Sequence, residues 1–156
     1  MSITTPFAIA RCWAAAFAAD RLLADWAQRN YGKPFAIQIG TDMRRPPDAD
    51  DAPFIVIFPD ASKTGPQRQS VTSNLGLVAG IADAEMPEEN GVVTMRGLVR
   101  LNELCPLLEK VMRDALRRAT PQEVDTEYDI LQYPLCMALM TITVEESLPT
   151  GRRLGG

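Results

Sequence analysis

Leu135-Cys136-Met137-Ala138-Leu139-Met140-Thr141-Ile142-Thr143-Val144-Glu145 is the stretch on which the fold turns. Successive side chains of a strand point to opposite faces. Read with a period of two, Cys136, Met140, Ile142 and Val144 face one way. Leu135, Met137 and Leu139 face the other, so the first half of the strand is apolar on both sides. Such a strand belongs inside a sheet and needs cover on both faces. A monomer rarely leaves a large contiguous apolar patch open to water. Either a loop of the same chain shields Leu135, Met137 and Leu139, or a second molecule does. The reading adopted is that these three residues form a self-association surface.

Upstream, Val124, Thr126, Tyr128 and Ile130 alternate with Asp125, Glu127 and Asp129. That pattern predicts a strand with one wet and one buried face, joined to the next by a tight turn at Tyr133-Pro134. Before it, Leu101, Leu104, Cys105, Leu108, Val111, Met112, Ala115 and Leu116 recur at helical spacing. They predict an amphipathic helix over residues 99–119, stopped by Thr120-Pro121, with Pro106 as an early turn or kink. Val71 to Ala82 reads as a long strand with Gly76 and Gly80 on one side, a sign of close backbone approach. Phe54-Ile55-Val56-Ile57-Phe58 is apolar on both faces and predicts a central strand ended by Pro59. Phe35 to Gly40 is a shorter strand, and Val92 to Met95 another.

The N-terminal part predicts one helix over residues 6–30. Thr5 is its N-cap and Pro6 its first residue. Asp20 falls within the apolar sector and needs a partner or a solvent edge. The order is then helix, three or four strands, helix, two strands. Runs of strands with only two helices do not build repeated parallel βαβ units. The expected fold is α+β: a mainly antiparallel sheet of four to six strands with two amphipathic helices on one face. Residues 1–146 are expected to form a single domain, and 147–156 a flexible tail.

A chain of 156 residues, 46% hydrophobic and 23% charged, is long enough to bury its own core. Its net charge of −4 disfavours specific nucleic-acid binding, which usually needs a basic surface. Cys12, Cys105 and Cys136 lie in separate apolar segments and are expected as buried free thiols. Charged residues interrupt every apolar run, so neither a signal peptide nor a membrane span is expected, and the protein is placed in the cytoplasm.

The chain has no histidine. Ser-His-Asp and Cys-His nucleophiles and His-bearing zinc sites are therefore excluded. Asp60-Ala61-Ser62-Lys63-Thr64-Gly65 lacks the glycine-before-lysine order of a phosphate loop. Asp60 after an apolar strand lacks the second acidic-x-Lys element of a restriction-type nuclease. Asp48, Asp50 and Asp51 lack the spacing and closing glutamate of a calcium loop. No catalytic residue, cofactor or metal is expected.

Taken together, the helix at 6–30, the strands at 54–58 and 71–82, the helix at 99–119 and the strand pair at 124–145 resemble the small tail-terminator proteins of long-tailed bacteriophages. Two long polar loops strengthen the likeness: one holds Arg44 and Arg45, the other Lys63 and Arg68. The resemblance implies a non-catalytic structural subunit that caps the tail tube as a hexameric ring and joins it to the head. It implies other tail or neck proteins as partners, an acidic lumen compatible with passing DNA, and a path from cytoplasm to virion. It also implies that Arg44, Arg45, Lys63 and Arg68 reach the lumen or a neighbouring subunit. The alternatives are a small regulatory protein-binding module and a metal-dependent carboxylate enzyme, with Asp60 and the acidic loop of Asp48, Asp50 and Asp51 as its candidate residues.

Overall fold

The computed structural model describes residues 4–65 and 69–147. Its elements are α1 (Pro6–Ala19), α2 (Arg21–Tyr31), β1 (Ala36–Ile39), β2 (Phe54–Lys63), β3 (Ser70–Ala82), β4 (Glu88–Glu89), β5 (Val92–Val93), α3 (Arg96–Ala115), β6 (Ala119–Asp129) and β7 (Leu135–Ser147). The main sheet has five strands in the order β1-β2-β3-β7-β6. All its pairs are antiparallel except β1 with β2. The fold is α+β, with a mixed, mostly antiparallel sheet and its helices on one face.

The first helix is broken, not continuous. Asp20 adopts extended backbone, ending α1, and its carboxylate accepts from the Leu23 amide at 2.9 Å, starting α2. One residue thus closes one helix and caps the next, which explains a carboxylate in an apolar sector. The break lets α1 bury Ile9, Trp13 and Phe17 while α2 turns Leu23 and Trp26 into the same core.

Helix α3 begins and ends earlier than periodicity predicts. Pro106 lies in its interior, on the exposed side, so the Asn102 carbonyl that loses a helical donor faces water. The last carbonyls of a helix need outside donors. Here α1 supplies two: Trp13 Nε1 donates to Met112 O at 3.0 Å, and Cys12 Sγ to Ala115 O at 3.2 Å. Cys12 is accordingly half-buried, while Cys105 and Cys136 are buried free thiols.

Two prolines expected to stop elements do not. β2 runs through Pro59 to Lys63, with a register shift between Pro59 and Ala61. β1 pairs only as far as Ile57, so Pro59 lies where β2 has become a sheet edge. Thr120-Pro121 lies inside edge strand β6, beside another register shift. A proline without an N–H is tolerated at edges and bulges. Ser147, expected in the tail, instead ends β7, paired with Ser70. Residues 148–156 lie outside the described residues.

The helix-facing side of the sheet forms the main core, with Ile55, Ile57, Leu75, Leu77, Ile81 and Ile142 among its buried residues. Among the described residues the opposite side carries no α-helix. It is partly covered by the connection from β1 to β2, residues 40–53, which includes a short 3-10 turn at Ala49–Asp51. Beneath that connection a second, smaller core gathers Ala52, Phe54, Val56 and Leu135.

Candidate functional site

The side of the sheet without helices is a mixture of covered and uncovered apolar residues. Cross-strand register defines it row by row. Ala36, Phe54, Gly80, Met137 and Asp129 make one row; Gln38, Val56, Val78, Leu139 and Glu127 make the next. Leu135 is 1% exposed, shielded by the residue 40–53 connection and its own neighbours. It therefore leaves the expected self-association set, because one chain already covers it. Met137, Leu139 and Val78 are only half-buried.

Those residues line an open groove of about 300 Å³ between the connection and β7. Its floor is Phe58, Val78, Met137 and Leu139, and its wall is Met43, Pro46 and Pro47. Met43 is 73% exposed at the rim. On the other side of the groove lies β6, which contributes Glu123, Asp125, Glu127 and Asp129 to the same face. Among the described residues none of the four is ion-paired. Both sides of β6 are largely exposed beyond Val124, so the expected buried face of this strand is wet: Tyr128, on the helix side, is half uncovered. The helical layer does not reach that far.

The chemistry of this arrangement is that of recognition. An apolar floor next to a row of carboxylates suits a ligand that is greasy at one point and cationic beside it. Acidic side chains along an edge strand also discourage like edges from pairing with each other.

The loop residues expected to reach a lumen or partner fall in different places. Arg44 is exposed and held by Asp42, Nε to Oδ1 at 3.0 Å. The guanidinium of Arg44, then its amide, holds the Asp42 carboxyl below its ordinary range. Arg45 lies 3.8 Å from Asp51. Lys63 is exposed at the end of β2, on the strand and not in a loop. Arg68 lies outside the described residues. Arg44, Arg45 and Lys63 do not converge on one site.

The acidic segment has a local job. Asp48 Oδ1 accepts from the Asp50 amide, and Asp51 Oδ2 from the Asp48 amide, both at 2.9 Å. Together they form a capping box on the 3-10 turn. These bonds fix the local shape of the connection, of which Asp48 lines the groove. Among the described residues no three His, Cys, Asp or Glu side chains gather as a metal site. Asp60 is exposed on β2.

A further polar cluster lies by the N-terminus of α3. Asp83, almost fully buried, accepts from Arg96 Nε at 2.8 Å and from the Glu85 amide at 3.0 Å. The Tyr31 hydroxyl is buried nearby without a hydrogen-bond partner among the described residues. Burial, then the Asp83 charge, raises its phenol well above the ordinary value. This cluster ties the β4–β5 side of the molecule to the core.

Sequence reading found Met137 and Leu139 but missed the groove wall and the link between β6 acids and the apolar floor. The alternation of Asp125, Glu127 and Asp129 was visible; their register opposite Met137 and Leu139 was not. Met43, apolar between charged neighbours, was the signal for the wall. No helix among the described residues is long and apolar enough to cross a membrane. No protein-family model matches the chain, and no curated protein matches it as a relative.

Proposed function

We propose that this chain is a structural subunit of a phage or prophage tail, which assembles as an oligomeric ring to cap the tail tube and join it to the head. The observation that supports this reading is the groove over Val78, Met137 and Leu139, left open on the helix-free side of the sheet. A single chain covers Leu135 and stops there. The remaining apolar surface gains cover through contact with another subunit, at about 25 cal/mol for each Å² removed from water. The element order that resembles the tail terminators adds weight, as does an acidic edge strand that repels DNA phosphates.

The carboxylate-enzyme alternative gains nothing from the geometry. Asp48 and Asp51 serve as turn caps, and Asp60 stands exposed on β2. The regulatory-module alternative uses the same groove and differs only in what fills it.

Native mass spectrometry and light scattering on the purified chain test the proposal, with electron microscopy to look for rings. A discrete closed oligomer that binds tail tubes is expected. A monomer at the highest soluble concentration, with no affinity for tail tubes, overturns it.

A further inference from the structure

We propose that the groove over Val78, Met137 and Leu139 receives residues 148–156 of a second copy of this chain. The inference rests on the assembly reading and names the contact that carries it. The groove sets two requirements. Its floor is apolar, and by register Glu127 and Asp129 stand directly beside Leu139 and Met137 on the same face. Asp48 adds a third carboxylate at the opposite wall. The occupant must bring an apolar side chain with cationic groups next to it.

Residues 148–156 read Leu148-Pro149-Thr150-Gly151-Arg152-Arg153-Leu154-Gly155-Gly156. They combine two adjacent arginines with a leucine on each side and no acidic residue. In an extended segment Arg152 and Leu154 fall on one side. Leu154 then fits the floor while Arg152 meets Glu127 or Asp129. Edge-to-edge pairing of β6 with another β6 meets neither requirement, because it sets carboxylate rows against each other.

Distance selects the second copy over the same chain. β7 carries the backbone away from the groove: Ser147 lies eight residues beyond Leu139, about 27 Å at strand rise. Leu154 follows Ser147 by seven residues, a reach of about 24 Å even when fully extended. The return must also include a reversal, so a chain cannot bring its own Leu154 to Leu139 and Met137, although the near end of the groove at Phe58 lies closer, in register with Thr141. The contact joins two different surfaces of the chain: exchanged reciprocally it closes a two-fold dimer, and propagated head-to-tail it is the type that closes into rings.

The test uses the full chain and two charge-reversed variants, Arg152→Glu/Arg153→Glu and Glu127→Arg/Asp129→Arg, each checked for folding by circular dichroism. Each variant alone is expected to lose association, and an equimolar mixture to regain it through the swapped pair. In parallel, a labelled synthetic peptide of residues 148–156 is titrated into the unmodified chain. It is expected to bind, or to compete with assembly, and to bind about tenfold more weakly to Glu127→Arg/Asp129→Arg. A monomeric chain that still binds the peptide at this face overturns the assembly reading and leaves the docking site standing. Absence of peptide binding, or normal assembly by Arg152→Glu/Arg153→Glu, overturns the docking proposal and leaves the assembly reading standing.

Discussion

Leu139 and Glu127 are direct cross-strand partners, with side chains side by side on the helix-free face of the sheet. A half-buried leucine thus borders a carboxylate on an edge strand. The pair marks where the apolar floor ends and the acidic margin begins.

Leu139 keeps part of its surface open in one chain, and in the proposed assembly a second subunit covers that remainder. Leu139→Ser should cost folding about 1 kcal/mol, well below the cost of emptying a core site. It should nevertheless shift the oligomer strongly toward smaller species. Thermal melts and sedimentation velocity on the same sample separate the two effects. A large loss of melting temperature with unchanged association would place Leu139 in the fold alone.

Phe54 and Gly80 are also register partners, and the Phe54 ring occupies the space where a β-carbon on Gly80 would stand. Gly80→Ala must therefore displace the ring or the strand. A destabilisation of about 1–3 kcal/mol is expected, the usual cost of overpacking. Replacing Phe54 by Leu frees that space, so Phe54→Leu/Gly80→Ala should be more stable than the sum of the single changes predicts. Urea titrations of the four proteins give the coupling; strict additivity would show that the ring is not the obstacle.

Gly80 also shows what a sequence conveys. Glycines on one side of a long strand signalled close approach, and Phe54 supplies it. Strand and helix existence followed from apolar period, because burial on one face imposes that period on the chain. Element ends followed less well. Pro59 and Pro121 read as stops, yet each lies at an edge or bulge where its missing N–H costs no ladder bond. Edge position is a property of the assembled sheet, invisible to local pattern. The groove was half legible for the same reason. Period two placed Met137 and Leu139 on one face, but only register brings Glu127 beside them, and only the path of residues 40–53 leaves Leu139 open while covering Leu135.

Asp20 closes α1 and caps α2, with its carboxylate on the Leu23 amide. Asp20→Ala removes that acceptor and raises the helical propensity at a break that the fold requires. A loss of about 1 kcal/mol is expected, with most of it restored in Asp20→Asn, which caps as well as Asp. Denaturant midpoints check this. Equal losses in the two variants would mean that the charge, and not the hydrogen bond to Leu23, is what matters.

Cys105 yields a prediction about alkaline pH. Burial in the main core, then the nearby charge of Glu109, pushes its thiol up from an ordinary 9.0 to about 11. The folded chain holds the neutral thiol over that interval while the unfolded chain ionises. The unfolded state then binds fewer protons, so stability falls as pH rises. The contribution is intact below about pH 9 and is lost progressively toward pH 11. Lysines and tyrosines titrate in the same window, so the measurement is a difference. Urea-unfolding free energies of the unmodified chain and of Cys105→Ala are compared between pH 8 and pH 11. The unmodified chain should lose stability more steeply, because alanine has no proton to release. Parallel curves for the two proteins would mean that Cys105 reaches water in the folded state, contrary to its place in the main core.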